Sequence, residues 1–143
     1  MMTENSIDGS LIEGIHRRDI RVYFEDTDFS GAVYHGSFVR FLERGRSDFM
    51  RCLGVSHAEF AKDNLAFAVA YMTTRFLRPA GIDDLLQVET KIGMFSGVRL
   101  VFDQKIKRQD ELLVEAQVTV ALIKNGKPQR IPVSLFQKLD LQN

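Results

Sequence analysis

The 143-residue sequence has one cysteine, three prolines, no tryptophan and no excess of either charge. Lys and Arg number 19, as do Asp and Glu, so no net positive field favours nucleic acid as the main partner. A single thiol, Cys52, excludes an internal disulfide, and its neighbours Phe49, Met50 and Leu53 predict a buried helical cysteine. No apolar run approaches membrane-spanning length, and the first ten residues lack the pattern of an export signal. These absences favour a cytoplasmic, reducing compartment and no membrane insertion.

What is present suits one folded domain, since 45% of the residues are hydrophobic. Residues 1–12 are interpreted as a loose polar lead-in and residues 13–143 as the single domain. Apolar residues alternate from Ile20 to Phe24, which predicts a strand that ends at an acidic cluster. Helical spacing of apolar residues from Ser37 to Leu53 predicts one amphipathic helix of about five turns.

Almost everything after this helix is predicted as strand. Gly54 is expected to end the helix, and Ser56 to cap a short second helix that reaches about Asn64. Short turns then separate runs rich in Val, Leu, Ile, Phe and Thr, and such connections favour antiparallel neighbours. The tail from Pro132 to Leu139 fits either a short helix or a last strand. The predicted strands are residues 66–76, 85–94, 98–107 and 112–124. This order indicates an α+β fold in which the sheet wraps the helix.

The functional interest lies in the turn Asp26-Thr27-Asp28-Phe29-Ser30-Gly31, which leads through Val33-Tyr34-His35-Gly36-Ser37 into the long helix. The first N–H groups of a helix lack internal partners and carry the positive end of its dipole. A carbonyl oxygen near the N–H groups of His35 or Gly36 would be stabilised as it gains charge, while an upstream carboxylate attacks the carbon or activates water. Thioesters suit such a site, because a thiol leaves without a strong general acid.

Simpler interpretations of these residues stay open. Asp28 and Ser30 are residue types that commonly fold turns by bonding to their own backbone. Glu43 lies three positions from both Arg40 and Arg46, a spacing typical of ion pairs on a helix surface.

The segment from Val22 to Arg44 resembles the signature of the 4-hydroxybenzoyl-CoA thioesterase family, through its Glu25-Asp26-Thr27-Asp28 and Val33-Tyr34-His35 elements. Within that family the chain is most similar to the Tol-Pal-associated acyl-CoA thioesterase branch, and the likeness extends from about Arg17 to Leu139. The resemblance implies a hotdog fold, an antiparallel sheet wrapped around one long central helix, which agrees with the pattern above. It also implies an active homodimer, commonly a dimer of dimers, with each site shared between two chains.

The resemblance also carries site residues over by position. Asp28 corresponds to the catalytic carboxylate, and the backbone N–H groups of His35 and Gly36 to the oxyanion site, with the His35 side chain as an auxiliary. Asp26 is expected to hold the loop. Glu43 is the second-choice acid, because another hotdog branch takes its acid from the central helix.

Coenzyme A would enter as part of the substrate, so no separate cofactor is expected. No metal site is expected either, since the three histidines show no ligand spacing. The phosphates of coenzyme A require cations, and its pantetheine arm requires backbone groups along a groove. The resemblance places the pantetheine arm of coenzyme A along Phe67, Ala68, Val69, Ser96, Gly97 and Val98. Arg99 and Arg130 are basic residues of the strand region that are candidates to bind its phosphates. Tyr34, Phe38 and Phe67 are candidates for the acyl pocket. Further candidate cations are Arg75, Arg78, Lys107 and Lys127.

The predicted function is therefore hydrolysis of an acyl-CoA thioester to a carboxylic acid and coenzyme A, either by direct attack of Asp28 or through water. The alternative is a hotdog binding module that docks acyl carrier protein, or envelope and lipid-synthesis proteins, with little turnover. A hotdog dehydratase is less favoured, because the histidines form no pair with an acid of the kind which that branch uses. The sequence does not define the acyl group.

Overall fold

One long helix packs against an antiparallel sheet in the computed structural model, which describes residues 7–132, 134, 135 and 137. The prediction for the tail, Pro132 to Leu139, lies largely outside these residues. The elements are β1 Ser10–Ile12, β2 Ile15–Arg21, a 3₁₀ turn Phe24–Asp26, α1 His35–Cys52, α2 His57–Ala61, β3 Leu65–Phe76, β4 Leu85–Phe95, β5 Arg99–Arg108, β6 Glu111–Lys124 and β7 Lys127–Gln129.

The sheet has the strand order β1-β2-β4-β5-β6-β3, and β7 pairs with the last residues of β6. Every pairing is antiparallel, and the four strands predicted after the helices are found within one residue of their expected ends. Among the described residues, β3 has a strand on one side only, so one edge of the sheet is 12 residues long and unpaired.

Helix α1 forms where it does because its apolar residues recur at helical spacing and bury one face against the sheet. Phe41, Leu42 and Phe49 are all fully buried. Gly45 permits the close approach, since a Cβ there would lie 2.7 Å from Val88 Cγ1. The predicted helix-in-sheet arrangement is confirmed.

A buried polar network lies under the middle of α1. Arg46, whose spacing from Glu43 is typical of a surface ion pair, is only 9% exposed and donates from Nη1 to Gln104 Oε1 at 3.0 Å. Gln104 Nε2 in turn donates to the Leu42 carbonyl and to Thr90 Oγ1, each at 2.9 Å. The network ties the helix to β4 and β5 by directed bonds in addition to apolar packing.

The outer face of the sheet carries a row of alternating charges. Arg17 of β2, Glu89 of β4, Lys105 of β5, Glu115 of β6 and Arg75 of β3 are successive cross-strand partners. Ion pairs join Arg17 to Glu89 at 3.5 Å and Arg75 to Glu115 at 3.2 Å.

Several expectations about the first third of the chain are wrong. The first long strand is Ile15–Arg21, where the alternation had predicted Ile20 to Phe24, and β1 lies inside the segment interpreted as a loose lead-in. His16 was expected before the strand but is a fully buried strand residue.

The end of the helical region also differs from expectation. Cys52 is exposed, because the last turn of α1 directs Phe49, Met50 and Leu53 into the core and leaves position 52 outside. Ser56 caps α2 as predicted, accepting a hydrogen bond from the Glu59 N–H at 3.2 Å, but α2 ends at Ala61.

Candidate active site

Asp26 anchors the acidic turn between β2 and α1. Its side chain is buried, and Oδ2 accepts a hydrogen bond from the Tyr23 N–H at 2.9 Å. Its carbonyl accepts from the Tyr34 N–H at 3.1 Å, so both ends of the turn are tied to one residue. This confirms the expectation that Asp26 holds the loop.

Asp28 lies at the exposed tip of the same turn. Its Oδ1 accepts hydrogen bonds from the Ser30 Oγ at 2.6 Å and from the Ser30 N–H at 2.8 Å. These bonds, the hydroxyl bond first, lower the pKa of the Asp28 carboxyl from its ordinary value, so the group is ionised at neutral pH. The turn-folding interpretation of Asp28 and Ser30 is thus visible in the structure, and it presents a carboxylate at the surface.

The start of α1 has no side-chain cap. Tyr34 occupies the N-cap position without a side-chain hydrogen bond, and the first turn holds no acidic residue. The positive end of the helix dipole is therefore not neutralised by a local carboxylate. The Tyr34 ring lies over Gly36, where a Cβ would be 2.6 Å from Cε2, so a larger residue there would have to displace the ring. A helix start of this kind can bind an oxygen that carries negative charge.

The side chains around the helix start form an aromatic group. The His35 ring packs edge-on against Phe76 of β3, with ring centroids 4.6 Å apart. Tyr34 is 58% exposed, and its role in the acyl pocket stays a prediction. Phe38 is buried between Phe41 and Phe76, so in this chain it belongs to the core.

The residues expected to hold coenzyme A come together at another place. Arg99 of β5 is the cross-strand partner of Ala121 in β6, and Ala121 is the partner of Ala68 in β3, so Arg99 and Ala68 lie two strands apart, about 10 Å. In the β4–β5 turn, Ser96 Oγ accepts from the Arg99 N–H at 3.1 Å.

The same cluster includes the segment that follows β7. The carbonyl of Gly97 accepts a hydrogen bond from the Ile131 N–H at 2.8 Å. A Cβ on Gly97 would lie 3.5 Å from Arg130 Nη1, so the guanidinium of Arg130 lies on the turn. Val98, the last residue of the turn, is 44% exposed.

The candidate cations separate into two groups. Arg75, Arg78 and Lys107 are within ion-pair distance of Glu115, Glu111 and Glu89 respectively. Within the described part of the chain, the ion pairs include none of Arg99, Lys127 and Arg130. Of these three, Arg99 and Arg130 lie together at the β4–β5 turn. Arg99 and Arg130 are therefore the better placed to meet a phosphate.

The two expected parts of the site lie at opposite ends of β3. The acidic turn sits at the end near Phe76, through the His35 contact and a bond from the Val33 N–H to the Ala80 carbonyl at 2.9 Å. The coenzyme A cluster is at the level of Ala68, eight residues away, or about 26 Å along the strand.

Glu43 lies away from the acidic turn, at a cavity that Phe67 and Val69 also line. It contacts two residues, Ser47 and His57, that the sequence did not indicate as site residues. Ser47 Oγ donates to Glu43 Oε2 at 2.5 Å and is 3.1 Å from His57 Nε2. The described ion pairs do not join Glu43 to Arg40 or Arg46, so the predicted surface pairs are absent there. The four-residue spacing of Glu43 and Ser47 is the signal that could have indicated their contact.

Comparison with known proteins decides the family. Residues 22–139 match the profile of the thioesterase-like superfamily. The chain belongs to this family. The acyl-CoA thioester hydrolase YbgC of Escherichia coli O6:H1 is 39% identical over 124 residues, 85% of this chain and 92% of that protein. As a thioesterase-like protein, the chain is a thioester hydrolase, so the predicted family and enzyme class are confirmed.

Solved structures agree with this assignment. A probable thioesterase from Bartonella henselae shares 43% identity, with a TM-score of 0.80 over 82% of this chain and 99% of that one. The 4-hydroxybenzoyl-CoA thioesterase of Pseudomonas sp. strain CBS-3 aligns with this thioesterase-like chain with a TM-score of 0.80 at 17% identity. The alignment covers 87% of this chain and 98% of that one, and it shows similarity of fold. The predicted hotdog fold is confirmed. None of the described helices is long and apolar enough to cross a membrane.

Proposed function

We propose that this thioesterase-like protein hydrolyses acyl-CoA thioesters, with Asp28 as the catalytic carboxylate. The observation that carries the proposal is the pairing, in one short segment, of an ionised exposed carboxylate with an uncapped helix start. The similarity to a protein named acyl-CoA thioester hydrolase supports coenzyme A as the thiol part of the substrate.

In the proposed reaction the thioester carbonyl oxygen lies against the N–H groups of His35 and Gly36. Asp28 accepts a proton from a water molecule as the water oxygen adds to the carbonyl carbon, and the helix start stabilises the resulting oxyanion. The carbon–sulfur bond then breaks, and the coenzyme A thiolate leaves and takes up the proton. Direct attack by Asp28 through an acyl anhydride uses the same geometry.

Each complete site in this proposal needs two chains. One chain cannot bring its acidic turn to its own coenzyme A cluster, because these parts lie at opposite ends of β3. The unpaired edge of β3, with Val69 50% and Tyr71 62% exposed, is a surface for pairing with another strand. Antiparallel pairing of two β3 edges would place the Phe76 end of one chain beside the Ala68 end of its partner.

Coenzyme A would then lie across this junction. Its phosphates would meet Arg99 and Arg130, and its pantetheine arm would run along the β4–β5 turn and the exposed residues Ala68 and Val69. The acyl group would begin near Tyr34. The predicted Tol-Pal association, the dimer of dimers and the cytoplasmic location stay predictions.

The decisive experiment is thiol release from a panel of acyl-CoAs by the wild-type protein and by Asp28→Asn, which keeps the shape of the side chain and removes its charge. Loss of about 10²-fold or more in kcat with an unchanged thermal melting curve is the expected result. Asp63→Asn, at an exposed position after α2, is the matched control and should keep full activity.

The binding-module alternative gives the opposite pattern. No wild-type turnover on any acyl-CoA, together with stable capture of acyl carrier protein, would replace hydrolysis by docking as the function. Full activity of Asp28→Asn would remove Asp28 from the reaction.

A further inference from the structure

A small cavity lies where α1, α2 and β3 meet the inner face of the sheet, and the acidic turn does not line it. Its volume is about 100 Å³. Its polar lining is Glu43, Arg46, Ser47 and His57, and its apolar lining includes Phe67 and Phe102. An apolar pocket with a few convergent polar groups is the usual form of a small-ligand site.

A chain of hydrogen bonds fixes Glu43 at this cavity. The Ser47 hydroxyl has one proton, which it donates to Glu43 Oε2 at 2.5 Å. The 3.1 Å contact between Ser47 Oγ and His57 Nε2 is therefore a bond that His57 donates. These hydrogen bonds link α1 to α2. They do not use Glu43 Oε1, which is held in position as a free acceptor.

Arg46 supplies donors to the same cavity. Its side chain is 9% exposed, and Nη1 donates to Gln104 Oε1 at 3.0 Å. Burial lowers the pKa of the guanidinium, and the nearby Glu43 acts in the opposite direction. Among the described residues no carboxylate is within ion-pair distance of Arg46. Because a guanidinium carries five N–H donors, those not used by Gln104 are available to a ligand.

An acceptor and donors that face one cavity select the chemistry of the group between them. Glu43 would repel a carboxylate, and Arg46 would repel an ammonium group. A hydroxyl can donate a hydrogen bond to Glu43 and accept one from Arg46. A cavity of about 150 Å³ is known to hold benzene, so a smaller one suits a short alkyl segment better than an aromatic ring.

We propose that this cavity receives the hydroxyl-bearing segment of an aliphatic acyl group, and that the enzyme thereby selects hydroxyacyl-CoA substrates. The inference rests on the proposed thioesterase function and adds its substrate class. Gly36, Arg40, Glu43 and Ser47 follow at intervals of three or four residues and so share one face of α1. Glu43 is about 10 Å along the helix axis from Gly36, a length that an extended chain of about eight carbons covers.

The test compares pairs of acyl-CoAs of equal length, with and without one hydroxyl, over short to medium chains and all hydroxyl positions. The expected result is a kcat/KM about tenfold or more higher for the hydroxylated member at one position, as for one hydrogen bond to a charged group. Glu43→Met should bring this ratio close to one. Glu59→Met is the matched control, since Glu59 is exposed on α2, pairs with Lys62 at 3.2 Å and does not line the cavity.

Equal kcat/KM for every pair would overturn the inference, as would a preference for carboxylate-ended chains or a hydroxyl preference that survives Glu43→Met. The affinity of the same acyl-CoA pairs for Asp28→Asn, measured by calorimetry, separates the proposal for the cavity from the proposal of hydrolysis. Tighter binding of the hydroxylated member without wild-type turnover would leave the cavity assignment standing and remove hydrolysis. Loss of all hydrolysis in Glu43→Met, with hydroxyl-selective binding retained, would instead make Glu43 the catalytic acid and overturn its role in selection.

Discussion

Asp28 closes its own turn and, in the proposed reaction, acts on the substrate. Its bonds from Ser30 lower its pKa, so the carboxylate is available as a base or nucleophile throughout the neutral range. The loop-folding and catalytic interpretations of this residue are therefore compatible, because the bonds that fold the turn also keep the group ionised.

Removing the Ser30 hydroxyl should raise the Asp28 pKa towards its ordinary value of 3.8, because the hydroxyl bond is the main cause of the lowering. The measurement is a carboxyl-carbon NMR titration of Ser30→Ala. Ser96→Ala, in the β4–β5 turn, should leave the Asp28 titration unchanged. An unchanged Asp28 titration in Ser30→Ala would show that the hydroxyl bond is not formed in solution.

His16 makes stability depend on pH. Its Nε2 donates to the Asp8 carbonyl at 2.6 Å, while Nδ1 is buried without a hydrogen bond, and burial lowers the pKa below its ordinary 6.5. Asp8 and Asp48 act in the opposite direction, and Arg18 adds to the lowering. The folded state therefore binds fewer protons than the unfolded state, and stability should fall as the pH falls below 6.5.

Urea unfolding at about pH 7.5 and about pH 5 measures this effect. In wild type the free energy of unfolding should fall on acidification. Part of this fall should be absent in His16→Gln, whose amide can still donate to the Asp8 carbonyl but does not titrate. Equal pH dependence of His16→Gln and wild type would contradict the assignment.

Side chains such as His16 and Cys52 show where prediction from residue type stops. His16 and Arg18 point to the helix side of β2, where a partner outside the strand bonds to one nitrogen of each: the Asp8 carbonyl for His16 and the Asp48 carboxylate for Arg18. His16 Nδ1 and Arg18 Nε are buried without a hydrogen bond. Contacts of this kind have no local pattern, so β2 did not show the apolar alternation of a strand.

At the scale of elements, α1 and β4 to β6 could be predicted because each has an apolar periodicity that matches its buried face. β3 could be predicted from its strand-forming residues, although none of them is fully buried. The C-terminal end of α1 was predictable for a local reason too, since Gly54 adopts φ 83° after the helix. The helix begins at His35, two residues before the predicted start at Ser37. The buried position of Arg46 could not be predicted, because its hydrogen-bond acceptor, Gln104, is 58 residues away in the sequence.

Close packing of α1 on the sheet makes Gly45 hard to replace. Alanine favours a helix over glycine by about 1 kcal/mol, yet its Cβ would lie 2.7 Å from Val88 Cγ1 and 2.8 Å from Thr90 Oγ1. Since overpacking costs about 1–3 kcal/mol, Gly45→Ala should destabilise the protein by about 1 kcal/mol in urea unfolding. The double variant Gly45→Ala/Val88→Ala should lose less unfolding free energy than the sum of the losses in the two single variants. A more stable Gly45→Ala protein would mean that the helix moves away from the sheet at low cost.

At the scale of the whole molecule, the proposal that two chains share each site predicts how mixed dimers behave. Asp28→Asn removes the carboxylate, and Arg99→Ala/Arg130→Ala removes the phosphate cations, so each protein alone should be nearly inactive on acyl-CoA. A dimer of one chain of each kind has one site with both wild-type parts. Co-refolding equal amounts should restore about a quarter of wild-type thiol release.

Two further mixtures give this experiment its controls. Refolding either variant with itself should restore nothing. Absence of recovery in the mixture, with mixed dimers shown by native mass spectrometry, would place the carboxylate and the cations in one chain.

The family resemblance predicted candidate residues for the site but not how far apart they lie. Asp28 and His35 are close in sequence, so local turn chemistry indicates them. The separation of Phe76 and Ala68 along β3 appears only when the strands are paired. If the site is divided between chains as proposed, no residue spacing within one sequence indicates its geometry.

The row of alternating charges on the outer sheet face also limits how the strands can misalign. A two-residue slip of β5 keeps every side chain on its proper face, so burial of apolar residues does not oppose it. In one direction, that slip replaces Lys105 by Asp103 and sets three carboxylates side by side, with Glu89 and Glu115 as neighbours. Repulsion between these carboxylates would destabilise the misaligned strand pairing during folding.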